Sequence, residues 1–342
     1  MHLDPSGSTY SGTAEEFITG TPLPLTDLVI NPIDGALYFA VGGRRTTSGL
    51  YRVTYTGDES TEPAPASDEG TELRAIRQKL EAFHGKPDPA AVDVAWPYLN
   101  HEDRFIRHAA RVAIEFQDPA SWSDRALSEA DHRSATIALL ALVRVSAPDP
   151  FHRRPTDPPV DMVLKQRIQD ALDRTSEDWE EMTYAEKLDL LRAYGVFFNR
   201  MGPPDDQTRA ELIARADSVF PARGVELNTE LAKLLVYLEA PSAASKIVAM
   251  LEQAPTQEEQ IDYAQALRVL KTGWTSELRE RYFRWFLKAA SYRGGSSFAN
   301  FVRNIKNDAI ASLNESELAA LQPIIEAQPE TTTVAAVTRP FV

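Results

Sequence analysis

The chain has 342 residues, 43% of them hydrophobic and 25% charged, the composition of a globular protein. Its net charge of −14 repels a phosphate backbone, and no Lys/Arg block offsets it, so no nucleic-acid partner is expected. It has no cysteine, which removes disulfides, zinc–cysteine sites, thiol nucleophiles and covalent haem attachment; no apolar run approaches the roughly 20 residues of a membrane helix, so no membrane insertion is expected.

The opening "MHLDPSGSTYSG" lacks the basic and apolar regions of a signal peptide. It reads as the tail of a hairpin whose partners are missing, and Met1 then reads as an internal start or a truncated end. Eight of the 16 glycines lie in the first 57 residues. Within that region Thr26 to Pro32, Ala36 to Gly43 and Gly49 to Tyr55 are short β-branched and aromatic runs. Asp34-Gly35 between the first two is a hairpin signal. Leu37, Phe39 and Val41 alternate with Ala36, Tyr38 and Ala40, as a two-faced strand requires. The expectation is a three-stranded antiparallel meander over residues 1–57, the unit of a propeller blade. At its strand end Gly42-Gly43-Arg44-Arg45 has two readings. One is a solvated glycine-permitted loop. The other is a turn aiming Arg44 and Arg45 at an anionic cofactor or substrate.

Residues 58–71 are acidic, rich in Pro and Ala, and aperiodic, which predicts a linker. From 72 to 328 the period turns helical. Phe105, Ile106, Ala109, Ala113 and Phe116 form one stripe. Leu227, Leu231, Leu234, Leu235 and Leu238 form a second, and Ile261, Ala264 and Leu267 a third. Thr183 to Glu186 and Thr256 to Glu259 fit the capping box, and Asn314 to Glu317 is a variant. About a dozen short helices on short loops predict a solenoid of stacked helical hairpins. Residues 329–342 read as a tail or linker.

No chemical motif stands out. The six histidines have no metal-ligand spacing, although His101 and His108 are two helical turns apart. No G-x-S-x-G elbow accompanies the Ser, His and Asp residues. Glu180-Glu181 and Asp205-Asp206 fall in predicted first turns, where they favour the helix dipole. The most pointed stretch is Glu277 to Lys306. Arg281, Arg284 and Lys288 form a basic stripe on an acidic protein, with Tyr282, Phe283, Trp285 and Phe286 crowded beside them. Arg293 and the Gly294-Gly295-Ser296-Ser297 run precede the next helix, whose free N–H groups suit an anion. The stripe is either a core helix with a solvated face and a Gly/Ser cap, or a surface for a protein or anion. Its candidate residues are Arg281, Arg284, Lys288, Arg293, Ser296 and Ser297, joined by Arg44 and Arg45.

Pro87 to Pro119 resembles a HEAT repeat, through an apolar first helix, Asp103 in the turn, Arg107, and Ala109-Ala110 on an apolar face. The resemblance implies close helix approach at the small residues and Asp–Arg pairing between neighbouring repeats. "LTDLVINPIDGALYFAVGG" and "SGLYRV" look like the last blade of a six-bladed propeller of the soluble sugar-dehydrogenase type. The order of propeller end, acidic linker and HEAT-like helices resembles the large secreted propeller–HEAT–cytochrome c proteins of planctomycetes. What the resemblance implies is a mainly α fold, a HEAT-like α-solenoid preceded by a partial β-propeller blade. The function it implies is a non-catalytic scaffold or protein-binding segment of a larger periplasmic or secreted redox protein. The alternative is a fragment of a quinone-dependent sugar-dehydrogenase-like oxidoreductase with a c-type cytochrome partner domain. No cofactor is expected in this chain itself. The partner is expected to be another protein or missing domains of the same polypeptide.

Overall fold

The computed structural model describes residues 2–43, 46–62, 67–295 and 297–327. The expected tail 329–342, part of the linker, Arg44, Arg45 and Ser296 lie outside the described residues. The chain divides into two compact units, Met1–Ala82 with Asp103–Ile106, and Phe83–Glu102 with Arg107–Val342.

The first unit holds two small antiparallel sheets and one helix. Strands β1 (His2–Ser6) and β2 (Thr9–Thr13) pair with each other, Ser6 opposite Thr9. The opening is therefore a two-stranded hairpin, in a sheet separate from that of the meander. Its turn has a local cause. Gly7 takes φ +58°, and the Ser8 amide donates to Asp103 Oδ2 at 2.6 Å.

The meander forms as the alternation predicts, in the order β3 (Leu25–Ile30), β4 (Leu37–Gly43) and β5 (Thr46–Val53). Gly35 at φ +65° makes the β3–β4 turn, and the Asp34 carboxylate accepts from the Ala36 amide and the Tyr38 hydroxyl. Ala36, Phe39 and Val41 are buried, and Phe39 stacks on Tyr51 at 4.9 Å. Every residue of β3 is exposed, and Leu28, Val29, Ile30 and Leu50 are all more than half exposed. This sheet covers few of its own apolar side chains. Helix α1 (Thr71–Glu81) completes the unit and buries Leu80.

Among its described residues the second unit has helices and no strand, a solenoid of paired helices. Its helices are α2 (Ala91–Ala95), α3 (Arg104–Glu115, shared at its first turn with the first unit), α4 (Ser123–Ser128), α5 (His132–Ser146), α6 (Met162–Ser176), α7 (Tyr184–Met201), α8 (Asp206–Val219), α9 (Val225–Tyr237), α10 (Ala243–Gln253), α11 (Gln257–Leu267), α12 (Ser276–Ala289), α13 (Phe298–Ala311) and α14 (Glu315–Ile325). Each even-numbered helix from α4 to α12 packs on the odd-numbered helix that follows it. The odd helices stack in turn, α5 on α7, α7 on α9, α9 on α11 and α11 on α13. In the even layer α4 packs on α6, α10 on α12 and α12 on α14. One apolar core runs from Leu191 to Leu321, and Ile106, Ile114, Leu139, Leu142 and Ile168 are buried before it.

Local signals set the helix starts. Thr183 and Glu186 make a full capping box on α7, as Asn314 and Glu317 do on α14. Thr256 caps α11 through the Glu259 amide. Asp205 caps α8 as its position predicts, whereas Glu180 and Glu181 lie in the turn before the α7 cap rather than in a first turn. The three apolar stripes face inward except at their edges, where Phe105 and Phe116 stay partly exposed and Leu234 is half-buried.

The two sheets bury little apolar surface, and exposed edges open first. Amide hydrogen exchange is therefore expected to be faster from Asp27 to Val53 than in α9 and α10. Equal protection in both regions would contradict this account of the sheet.

Candidate functional site

Helix α12 carries the basic stripe singled out from the sequence. Its aromatic side chains are core: Tyr282, Phe283, Trp285 and Phe286 are all buried. Two of the stripe's charges, Arg281 and Arg284, are paired within the protein. Arg281, half-buried, donates from Nε to Glu252 Oε1 on α10 at 2.9 Å, and its other terminal nitrogen lies 3.9 Å from Glu277. Arg284 is exposed and pairs with Glu280, one turn back, at 2.6 Å. Lys288 and Arg293 are exposed. The Arg293 backbone is fixed by Gln257, whose amide donates to its carbonyl at 2.8 Å and accepts from its N–H at 3.2 Å. Ser297 occupies the N-cap of α13 without a side-chain capping bond. The stripe is thus a face over an aromatic core, paired at Arg281 and Arg284 and exposed at Lys288. Arg44, Arg45 and Ser296 fall outside the described residues.

Arg281–Glu252 is one rung of a longer series. Each even-layer helix is joined to the next by an acid–base pair. Asp93–Arg125 (3.1 Å) joins α2 to α4, and Asp124–Arg167 (2.7 Å) joins α4 to α6. Asp173–Arg215 (2.6 Å) joins α6 to α8, and Asp217–Lys246 (2.9 Å) joins α8 to α10. Glu252–Arg281 then joins α10 to α12, and Arg279–Glu317 (3.2 Å) joins α12 to α14. The first five rungs place the acid on the earlier helix; the last reverses the sense. Arg279 is also the buried member, 2% exposed, with Trp274 stacked 4.2 Å beneath its guanidinium and Ser312 Oγ at 3.3 Å.

Asp103 and Arg107, the residues that the HEAT resemblance singled out, have separate roles. Asp103 caps α3 through the amides of Phe105 and Ile106. Arg107 lies 3.8 Å from Asp189 on α7. In the same layer Arg133 donates to the buried Glu186 at 2.5 Å. Burial alone would raise that carboxyl, but the Thr183 hydroxyl and amide and the Arg133 charge outweigh it and hold it at about 2.

The open face of the odd layer is different. A groove of about 640 Å³ runs over α5, α7 and α9. One wall is a row on α7 spaced by single turns, Arg192, Gly195 and Asn199; the other is Glu230, Lys233 and Tyr237 on α9. Arg144 and Arg200 close one end, the Arg200 guanidinium bound to the Arg144 and Ala147 carbonyls at 3.0 and 2.6 Å. Tyr237 stacks on Phe198 at 5.2 Å, which holds its ring upright at the rim. Arg192 and Asn199 are exposed, and their side chains have no hydrogen-bond or ion-pair partner among the described residues. Sequence reading missed this site. Its one local signal was Gly195, a glycine inside a strongly helical pattern.

A second cavity, about 190 Å³, lies among α6 to α9, walled by Leu190, Leu212, Ala216 and Leu231. Its polar end is self-satisfied. The buried Tyr194 hydroxyl donates to Asp173 at 2.8 Å, and Arg215 bonds both Asp173 and Ser176 at 2.6 Å. Burial and the Asp173 charge push the Tyr194 hydroxyl well above its ordinary value, so it stays a neutral donor. Among the described residues no three His, Asp or Glu side chains gather as a metal site.

The two kinds of arginine on α12 differ in what their loss exposes. Arg284→Ala removes a solvent-exposed pair and is expected to change unfolding free energy by no more than about 0.5 kcal/mol. Arg279→Ala removes the ion-pair partner of Glu317, which keeps its bond from the Asn314 amide, and empties the Trp274 face, and is expected to cost about 1–3 kcal/mol. Urea denaturation of the two variants separates these values; equal losses would contradict the assignment of Arg279 as the buried rung.

No protein-family model, curated protein or solved structure matches the chain.

Proposed function

We propose that the helical unit is a non-catalytic scaffold that binds a protein partner along the α7–α9 groove. The observation that carries this reading is the open groove itself. Arg192 and Asn199 present polar groups to open space over it with no hydrogen-bond or ion-pair partner among the described residues, whereas Arg281 and Arg284 on α12 are paired. Solenoids bind through such long faces and seldom carry chemistry themselves.

The setting implied by the resemblance is a larger periplasmic or secreted redox protein. The exposed Leu28, Ile30 and Leu50 support it, because apolar strand faces of this kind suit a blade that packs against neighbours. No helix among the described residues is long and apolar enough to cross a membrane.

A benzophenone amino acid placed at Tyr237 tests the groove in the producing cell, with Glu211 on α8 as the control position. A discrete heavier adduct from position 237 and none from 211 is expected. No adduct at 237, or equal adducts at both positions, would overturn the reading.

A further inference from the structure

Gly195 sits in the interior of α7, where a glycine costs about 1 kcal/mol relative to alanine. Packing within the chain does not require it. A Cβ built there meets no atom within 4 Å, and the residue has ordinary helical geometry. It therefore leaves a bare strip of helix backbone in the α7 wall of the groove, the feature that lets another backbone approach closely.

The groups around this strip define what would approach. Arg192 stands one turn before it with its guanidinium unpaired among the described residues, and Asn199 stands one turn after it with both halves of its amide free there. Across the groove, Lys233 holds Glu230 at 2.7 Å and Tyr237 offers an aromatic wall. Four basic side chains line the groove, and three of them have carboxylate neighbours: Arg144 pairs with Glu115 at 2.8 Å, Arg200 lies 3.9 Å from Asp149, and Lys233 holds Glu230. The balance is one positive charge, on Arg192, set in a chain of charge −14. Salt limits the reach of the distant acids to about 8 Å, so the local excess decides what binds.

We infer that the groove takes an acidic peptide segment in extended conformation. Its backbone crosses Gly195 and bonds the Asn199 amide, and its carboxylates reach Arg192 and Lys233. From 192 to 199 the helix rises about 10 Å, the length of about three extended residues, so the contact is short. This inference rests on the protein-binding reading above and adds the chemistry of the partner. A nucleic acid is the other polyanion, and a contact only about 10 Å long offers too few cations to neutralise a run of phosphates.

Fluorescence anisotropy tests the inference on the full chain, with fluorescein-labelled twelve-residue Glu-Ala and Gln-Ala peptides and oligo-dT as probes. The Glu-Ala peptide is expected to saturate by about 1 mM and to weaken about tenfold in Arg192→Glu, with rising salt acting in the same direction. Gly195→Ala is expected to raise the melting temperature while weakening the same peptide several-fold, a result that a structural role for Gly195 would not give. Equal binding of Gln-Ala, or binding of oligo-dT alone, overturns the acidic assignment. Undiminished binding in Gly195→Ala overturns the backbone approach. No peptide binding, with the Tyr237 adduct still formed, overturns this inference and leaves the protein-binding reading standing.

Discussion

The acid–base rung between successive helices of the even layer is the interaction on which the rest of the second unit depends for its register. Core burial supplies most of the stability of such a stack, and it is nearly blind to rotation or sliding of one helical pair on the next. A rung such as Asp124–Arg167 or Asp217–Lys246 is specific. It exists at one offset between two helices and is lost at others. Each exposed rung contributes only about 0.2–1 kcal/mol, so the series acts on alignment more than on total stability. Arg279 is the exception. Buried against Trp274 and joined to Glu317, it locks the last pair more strongly than an exposed rung does.

Both layers use charge to join helices. On the even layer the rungs do so, and on the odd layer Glu115–Arg144, Arg107–Asp189 and Arg133–Glu186 do. Arg192 and Asn199 have no such partner among the described residues and face the groove over α7 and α9. Its walls are rigid because Tyr237 is stacked and Arg200 is tied to two carbonyls, so a ligand there meets a surface that needs little rearrangement. The self-satisfied cluster of Tyr194, Asp173 and Arg215 shows the other outcome, in which buried polar groups complete each other and strengthen the stack.

Much of the architecture was legible in the sequence because it is written locally. The alternation in Leu37 to Val41, the Asp34-Gly35 turn, the capping boxes at Thr183 and Asn314 and the leucine stripe of α9 are each read within a few residues. The rungs are not local. Their partners lie 29 to 43 residues apart, about one repeat of the stack, and only the fold brings them together. For that reason Arg281 and Arg284 looked like a free basic surface when read along one helix. Their partners, Glu252 one repeat away and Glu280 one turn back, neutralise them. The reverse holds for the groove. Arg192 and Asn199 lie in unremarkable helix sequence, and Lys233 and Tyr237 join them only because α9 stacks on α7. Gly195 alone carried a local sign.

The central claim is that the odd-layer groove, and not the basic stripe of α12, is the surface left available to a partner. Amide chemical-shift mapping of the chain titrated with the Glu-Ala peptide tests it most directly. The account predicts shifts concentrated at residues 192–199 and 230–237, with the amides of α12 and of residues 293–297 unmoved. Shifts centred on Arg281 to Ser297, or spread over the sheet from Asp27 to Val53, would contradict it.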